Sequence, residues 1–128
     1  PKMSFLPGRL TETAGLPAVQ VGKIALPLPA GRTVNGSGAD QPILLGLRPE
    51  HLMRAQGEAP AAGCYRYDAT IDMVQPTGSR SYANFLLSGE QVIAELRAHD
   101  VSRPGETLPI DINMNRASVF DAATGRAL

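Results

Sequence analysis

The stretch that decides the fold is Leu45–Leu52, which reads LGLRPEHL. An uninterrupted apolar run, Ile43–Leu47, leads into it, and a run without alternation predicts a strand that is buried on both faces. Pro49 then ends regular strand pairing, because its ring fixes its own φ and pushes Arg48 into an extended conformation. The stretch therefore predicts a buried strand that ends in a stiff, charged corner.

Short alternating segments surround this corner. The clearest is Tyr65–Val74, where Tyr65, Tyr67, Ala69, Ile71 and Met73 share one face and the polar residues Arg66, Asp68, Thr70 and Asp72 share the other, as in a half-buried strand. Further short strands are predicted at Met3–Leu6, Val19–Val21, Lys23–Leu28, Ser81–Leu87, Gln91–Ala98, Thr107–Ile112 and Ala117–Phe120. Since no helical apolar stripe occurs, the chain is predicted to be all-β, as a sandwich or a small barrel.

Glycine and proline set the predicted boundaries. Pro7-Gly8 should end the first strand, and Gly22-Lys23 should form a type II′ hairpin turn, which needs a positive φ at its first position. Gln75–Gly78 is predicted to be a turn, and Pro109 suggests that its strand lies at a sheet edge. Two loops are predicted at Pro29–Pro42 and Met53–Gly63, the second with room for one short helical turn.

Composition excludes several classes of protein. Twelve basic and twelve acidic residues give a formal net charge of zero, which argues against nucleic acid as a partner. No apolar run has the roughly 20 residues of a membrane span, and no signal peptide is expected from the opening residues, which lack an apolar h-region. The single cysteine, Cys64, is compatible with a reducing cytosol. We expect one domain over residues 1–128, in which 1–55 and 56–128 could form two intertwined lobes.

Few residues are arranged for catalysis or metal binding. Gly31–Gly38 mimics the glycine spacing of a phosphate-binding loop, but Ser37 occupies the lysine position and Pro42 prevents a following helix. His51 and His99 have no partners at metal-ligand spacing, and no lysine lies near Cys64 to activate its thiol. No catalytic, cofactor or metal residue is therefore assigned.

The corner residues Arg48, Pro49, Glu50 and His51 are the first candidate interaction site. In one interpretation their charges pair locally, which contributes about 0–1 kcal/mol when exposed. In the other, the corner packs against a second subunit or another domain, since arginine is favoured at interfaces. The sequence alone does not choose between these interpretations.

Three blocks of sequence, in the same order, carry a family resemblance. Leu45–Leu52 resembles the LG(I/L)RPEHL segment in the C-terminal regulatory domain of ATPase subunits of carbohydrate-type ABC importers, the maltose and glycerol-3-phosphate group. Val74–Gly78 resembles that family's VEPLG segment, with Thr77 in place of leucine. Val119–Arg126 resembles its closing HLFDxxTGRRL segment.

The resemblance implies an OB-type, MOP-like small barrel that acts as a regulatory domain of an ABC importer for sugars or glycerol-3-phosphate. It implies a homodimer, contact with an ATPase domain expected before residue 1, membrane permease subunits, and in some relatives a regulatory protein. The parent would be cytoplasmic and peripheral to the inner membrane. ATP and Mg²⁺ would bind the parent, whereas this fragment would hold no cofactor and would not hydrolyse ATP.

The alternative is an oxyanion-sensing module of such an ATPase, since related barrel modules bind oxyanions such as molybdate between paired domains. Backbone N–H groups and hydroxyls would then bind the ligand. The segment that could supply them is Thr77, Gly78, Ser79, Arg80 and Ser81.

Overall fold

The computed structural model describes residues 3–29, 34, 40–99 and 103–128. These parts of the chain form ten β-strands and one 3-10 helix, Pro49–His51, and they contain no α-helix. The all-β prediction is confirmed. In chain order the strands are β1 (Ser4–Thr13), β2 (Leu16–Val21), β3 (Ile24–Pro27), β4 (Pro42–Leu47), β5 (Leu52–Arg54), β6 (Cys64–Thr77), β7 (Arg80–Leu87), β8 (Glu90–Arg97), β9 (Thr107–Asn113) and β10 (Ser118–Asp121).

The strands form two five-stranded sheets in which the pairings are antiparallel. The first sheet has the order β10-β4-β1-β2-β3, and the second has the order β5-β9-β6-β7-β8. One cluster of buried side chains draws on both sheets, with Leu6 and Leu45 from the first and Phe85 and Ile110 from the second. In the first sheet β10 pairs with β4, and in the second sheet β9 pairs with β5 and β6. Each sheet therefore joins residues that are far apart in sequence. The division into lobes at residue 55 stays a prediction.

The two sheets also meet through a pair of hairpin turns. Gly22 has a φ of 57°, which confirms the positive value predicted for the first turn position between β2 and β3. The backbone N–H of Lys23 donates a 2.8 Å hydrogen bond to Oγ of Ser88 in the β7–β8 turn. A Cβ atom on Gly22 would collide with that same Ser88 hydroxyl. Glycine is thus needed here for both its backbone conformation and its small size.

Strand β1 does not end at Pro7-Gly8, so that prediction is wrong. Leu10 exchanges backbone hydrogen bonds with Gln41 and Asp40 on the β4 side. Backbone groups of successive residues in a strand point to opposite sides, so the nitrogen of Pro7, three residues before Leu10, points towards β2. Strand β2 pairs with β1 only from Arg9 onwards. A proline is tolerated at this position because no neighbouring strand requires its missing N–H.

Strand β6 is longer than predicted and contains a bulge. The register with β7 shifts between Ile71 and Met73, so that one extra residue of β6 reverses the alternation. Met73, which was expected on the core face, is therefore 50% exposed, and Val74 packs against the core instead. The turn predicted at Gln75–Gly78 is also wrong, because β6 continues to Thr77 and the turn follows at residues 78–79.

Strand β9 is not the edge strand that Pro109 suggested. It lies between β6 and the three-residue strand β5, which ends at Arg54. The next residue, Ala55, still donates its N–H to the Pro109 carbonyl at 2.9 Å, but the proline cannot return a hydrogen bond. Pro109 therefore lies where the pairing between β9 and β5 ends.

The two predicted loops have different outcomes. Only Val34 of the glycine-spaced segment Gly31–Gly38 lies within the described residues, so the structure gives no geometry for that segment. In the second loop, Met53 and Arg54 belong to β5 and residues 55–63 contain no helix. The short helical turn occurs earlier, at the corner itself.

Comparing two glycine substitutions separates backbone strain from collision. Gly15→Ala places a side chain at a positive φ of 79° in open space and should cost about 1–2 kcal/mol of folding free energy. Gly22→Ala adds a collision with Ser88 and loss of the Lys23 hydrogen bond, which we expect to cost about 1 kcal/mol more. Urea denaturation of both variants measures the difference, and equal losses would contradict the contact between the turns.

Candidate functional site

The corner forms as the sequence predicts. Arg48 is extended, with φ −84° and ψ 143°, and Pro49 occupies the first turn of the 3-10 helix, where no intrahelical N–H is required. Pro49 is buried, whereas Arg48 and Glu50 are exposed and His51 is partly exposed. Because Leu52 begins β5, these residues carry the chain from the first sheet to the second.

The predicted ligand segment, Thr77–Ser81, is mostly occupied by its own fold. The Thr77 hydroxyl donates to the Arg80 carbonyl at 3.3 Å, which closes the hairpin turn. The Ser79 carbonyl accepts a hydrogen bond from the N–H of Ala98, and the Ser81 side chain is buried at 3% exposure. The Arg80 side chain is the part of this segment that remains available, since it is exposed and bonds to no residue that the structure describes.

A cleft of about 250 Å³ brings one residue of each candidate site together. Glu50 from the corner and Arg80 from the predicted ligand segment both line it, while Arg48, Pro49 and His51 do not. The remaining lining residues are Met53, Arg54, Gln56, Glu95, Leu96 and Arg97. The cleft therefore presents charges of both signs, with two apolar side chains among them.

Two like charges face each other in this cleft. Arg80 of β7 pairs directly opposite Arg97 of β8. Like charges at directly opposite positions of an antiparallel pair are destabilising by a few tenths of a kcal/mol up to about 1 kcal/mol. Two acidic residues, Glu50 and Glu95, line the same cleft.

An ion pair that the sequence analysis did not predict lies beside the cleft. Arg66 of β6 and Asp111 of β9 are directly opposite, with Nε–Oδ1 and Nη2–Oδ2 distances of 2.9 and 3.2 Å. Arg66 also donates to the Gly57 and Gln56 carbonyls, so it attaches the 55–63 loop to the sheet. Hydrogen bonding to Asp111 raises the pKa of the Arg66 guanidinium. The sequence signal for this ion pair was Asp111, a charged residue between the apolar residues Ile110 and Ile112.

Cys64 begins β6 close to this pair. Burial raises the pKa of its thiol, and the negative charge of Asp111 raises that pKa further. The thiol is therefore protonated at neutral pH, which makes it a poor nucleophile and metal ligand. Within the described residues, no three histidine, cysteine or acidic side chains converge in a way that could hold a metal ion.

The closing segment owes its turn to Asp121. Its Oδ1 accepts hydrogen bonds from the N–H groups of Ala123 and Thr124 at 2.7 and 3.1 Å, and its Oδ2 accepts one from Gln41. The Thr124 bond, then the Ala123 bond, lowers the pKa of the Asp121 carboxyl. The turn is therefore held by an ionised carboxylate, and it loosens as pH falls through this lowered pKa.

Breaking the Arg66–Asp111 pair should be more harmful than replacing an exposed charge. Arg66→Ala leaves the buried Asp111 carboxylate without its cation and releases the 55–63 loop, so we expect a clear loss of folding free energy. Arg116→Ala, at an exposed position, should change stability by less than about 0.5 kcal/mol. Thermal or urea unfolding measures both, and similar values for the two variants would refute the role assigned to the pair.

The comparisons with known proteins agree on one family. Residues 1–52 match the family model described as the MalK OB fold domain. The uncharacterized ABC transporter ATP-binding protein y4oS of Sinorhizobium fredii is 32% identical over 125 residues, which cover 98% of this chain and 31% of the relative. The sn-glycerol-3-phosphate import ATP-binding protein UgpC of Chromohalobacter salexigens is 32% identical over 131 residues, with 98% and 32% covered.

A third relative widens the range of solutes named. The sulfoquinovosyl glycerol transport ATP-binding protein SmoE of Agrobacterium fabrum is 27% identical over 105 residues, which cover 81% of this chain and 28% of the relative. The chain thus spans about a third of the length of these relatives, 28% to 32%. No described segment contains a helix with the length and apolar character of a membrane span.

These matches confirm the expected family and the OB-type fold. The matched model is an OB-fold domain and not an ATPase domain, as expected for a part without ATPase motifs. Residues 1–52 are therefore a MalK-type OB fold domain, and the chain is homologous to the C-terminal parts of ATP-binding subunits of ABC importers.

Proposed function

We propose that this chain is the regulatory and dimerisation domain of the ATP-binding subunit of an ABC importer for sugars or glycerol-3-phosphate. The observation that carries the proposal is a match over 98% of the chain to a glycerol-3-phosphate import ATP-binding protein. ATP and Mg²⁺ bind elsewhere in the parent subunit, and this domain does not hydrolyse ATP. The parent subunit is cytoplasmic and attaches to the inner membrane through permease subunits.

A separate contact domain has a clear physical use in such a subunit. Two ATPase domains that are tethered through a second, lasting contact have a raised effective concentration for one another. The nucleotide interface can then open and close while the pair stays together. Two copies of this domain provide the lasting contact, and the same domain receives a regulatory protein in those importers that use one.

We place the corner residues Arg48 and Glu50 at this contact or at the junction with the ATPase domain. Both side chains are exposed, and the corner is held by the buried Pro49, so a partner meets a rigid surface. A rigid surface loses little conformational freedom on binding, which favours affinity. Glu50 also lines the cleft, so the contact can extend from the corner to Arg80.

The double substitution Arg48→Ala/Glu50→Ala in the full subunit tests this placement. We expect weaker self-association in sedimentation and a several-fold loss of transport-coupled ATPase activity, with little change in stability because both side chains are exposed. The matched control Glu12→Ala/Arg116→Ala, also at exposed positions, should leave both values unchanged. Unchanged association and coupling in the corner variant would remove these residues from the contact.

A second candidate function is oxyanion sensing, and one observation favours it. Arg80 lines the cleft, and its guanidinium makes no hydrogen bond or ion pair with a described residue. Guanidinium groups bind planar and tetrahedral oxyanions through paired N–H donors. In the sensing mode an anion would bind at the Arg80 guanidinium, because the hydroxyls of Thr77 and Ser81 are already engaged or buried.

Calorimetry with tungstate, sulfate and glycerol phosphate separates the two functions. Binding at micromolar concentrations that disappears in Arg80→Ala but persists in Arg116→Ala would establish the sensor. If none of the three anions produces heat, the contact-domain function stands alone. The two arginines differ in position, since Arg80 lines the cleft and Arg116 is an exposed residue outside it.

A further inference from the structure

Strand β8 is an edge strand without the usual protection. Among the described residues the two sheets have four edge strands, β10 and β3 in the first sheet and β5 and β8 in the second. An unpaired edge can accept a further strand, so proteins ordinarily keep edge strands short, cover them or place proline in them. Strand β8 has eight residues, more than any of the other three, and it contains no proline.

The other three edge strands are short, and two of them have further protection. Strand β5 has three residues, and β3 has four and ends at Pro27. Strand β10 has four residues, and the segment that follows it folds back along its edge. There Leu128 donates its N–H to the Val119 carbonyl, and Asp121 donates its N–H to the Arg126 carbonyl. Strand β8 therefore departs from the pattern of the other edges.

The backbone groups of every second residue in β8 point away from β7. The N–H of Ala98 donates to the Ser79 carbonyl at 3.0 Å, which fixes the phase of the hydrogen bonds between the two strands. Bonded and non-bonded pairs alternate in an antiparallel ladder, so Ile93 and Glu95 lie in non-bonded pairs. Their N–H and C=O groups point to the open edge, and they bond to no residue that the structure describes.

The open edge of β8 forms one wall of the cleft. Glu95 and Leu96 line the cleft from β8, and Met53 and Arg54 line it from β5, which is the other edge of the same sheet. The two strands lie close together, but they do not pair. Because both walls are strand edges, the occupant must be thin and must offer backbone donors and acceptors, as a single extended peptide does.

We propose that the cleft binds an extended peptide segment of another protein, which adds a strand antiparallel to β8. The peptide exchanges backbone hydrogen bonds with Ile93 and Glu95. This inference goes beyond the proposed function and does not depend on it, because it rests only on the edge of β8 and the residues that line the cleft.

The charges of the cleft define the side chains of the peptide. Glu50 and Glu95 line the cleft, and neither carboxylate makes a hydrogen bond or ion pair with a described residue. Opposite charges stabilise directly paired strand positions, so the peptide carries a basic side chain opposite Glu95 and an acidic one opposite Arg97. Opposite Ile93 it carries an apolar side chain. This order of acidic, basic and apolar side chains at alternate positions fixes the register of the added strand.

The shape of the cleft favours a peptide over a second copy of this chain. The cleft has a volume of about 250 Å³. The 3-10 helix and β5 pack against β8 within each copy. A second copy that offered its own β8 edge would bring these elements with it into a narrow space, whereas an unfolded segment brings only a single strand.

A synthetic peptide with the sequence Thr-Asp-Val-Lys-Thr-Ile-Thr tests the proposal, since its lysine can lie opposite Glu95. We expect this peptide to produce saturable NMR shifts at the Ile93 and Glu95 amides of the 128-residue chain. The same peptide with glutamate in place of lysine should bind about five-fold more weakly. This preference should disappear in Glu95→Gln and persist in Glu12→Gln, an exposed position on the first sheet. Absence of these shifts, or a preference that survives Glu95→Gln, would overturn the proposal.

Removing single N–H groups tests whether the peptide binds as a strand. N-methylation of the peptide lysine removes the N–H that the Glu95 carbonyl accepts, and we expect the affinity to fall about ten-fold. Glu95→Pro removes the N–H on the other side of the pair, at a position where β7 does not use it, and should weaken binding to a similar extent. The N-methylated peptide leaves the protein unchanged, so equal affinity for it and the parent peptide would refute strand addition.

Sedimentation of the 128-residue chain without peptide tests the other occupant. Self-association that Glu95→Pro abolishes, and that the peptide reverses, would identify the β8 edge of a second copy as the occupant and would overturn the proposal. An association state that Glu95→Pro leaves unchanged agrees with a peptide as the occupant. Loss of the peptide proposal would leave the proposed function standing, because the corner variant tests that function separately in the full subunit.

Discussion

The fold depends on the buried proline at position 49. Strand β4 belongs to the first sheet and strand β5 to the second, and only the short 3-10 helix separates them. Pro49 fixes the backbone at this crossing and forces Arg48 into an extended conformation, so the direction in which β5 leaves is set by covalent geometry. The second sheet then packs on the first around one shared core. The same crossing positions Glu50 at the cleft.

Much of the fold was predictable because alternation is a local property. Strands β6, β7 and β8 were found from apolar side chains at every second position, and the Gly22 turn from a change of phase. The errors arose where the outcome depends on a neighbouring strand. Whether Pro7 ends β1 depends on where β2 begins to pair, and whether Pro109 marks an edge depends on how far β5 extends. Neither fact is present in the local sequence.

The candidate site was less predictable than the fold. The corner was recognised because proline and charged residues follow an apolar run. The sequence did not predict that Glu50 of the corner and Arg80 of β7 line the same cleft. The corner contacts β8, which pairs with β7, and this contact between distant parts of the chain forms only by tertiary packing. The Arg66–Asp111 pair was missed for a related reason. Alternation tells which side of a strand a residue faces, but the residue opposite it depends on the register between distant strands.

The two faces of β4 differ in how completely they are buried. The run Ile43–Leu47 was expected to be buried on both faces, and all its residues are buried except Leu44, which is partly exposed. The inner face of β4 is covered by the core, whereas Met3 and Phe120 lie against its opposite face at Gly46. An apolar side chain there gains little in this chain alone, because its transfer from water is incomplete. Ile43, Leu45 and Leu47 belong to the core, so the apolar run identified the strand but not which of its two faces is covered.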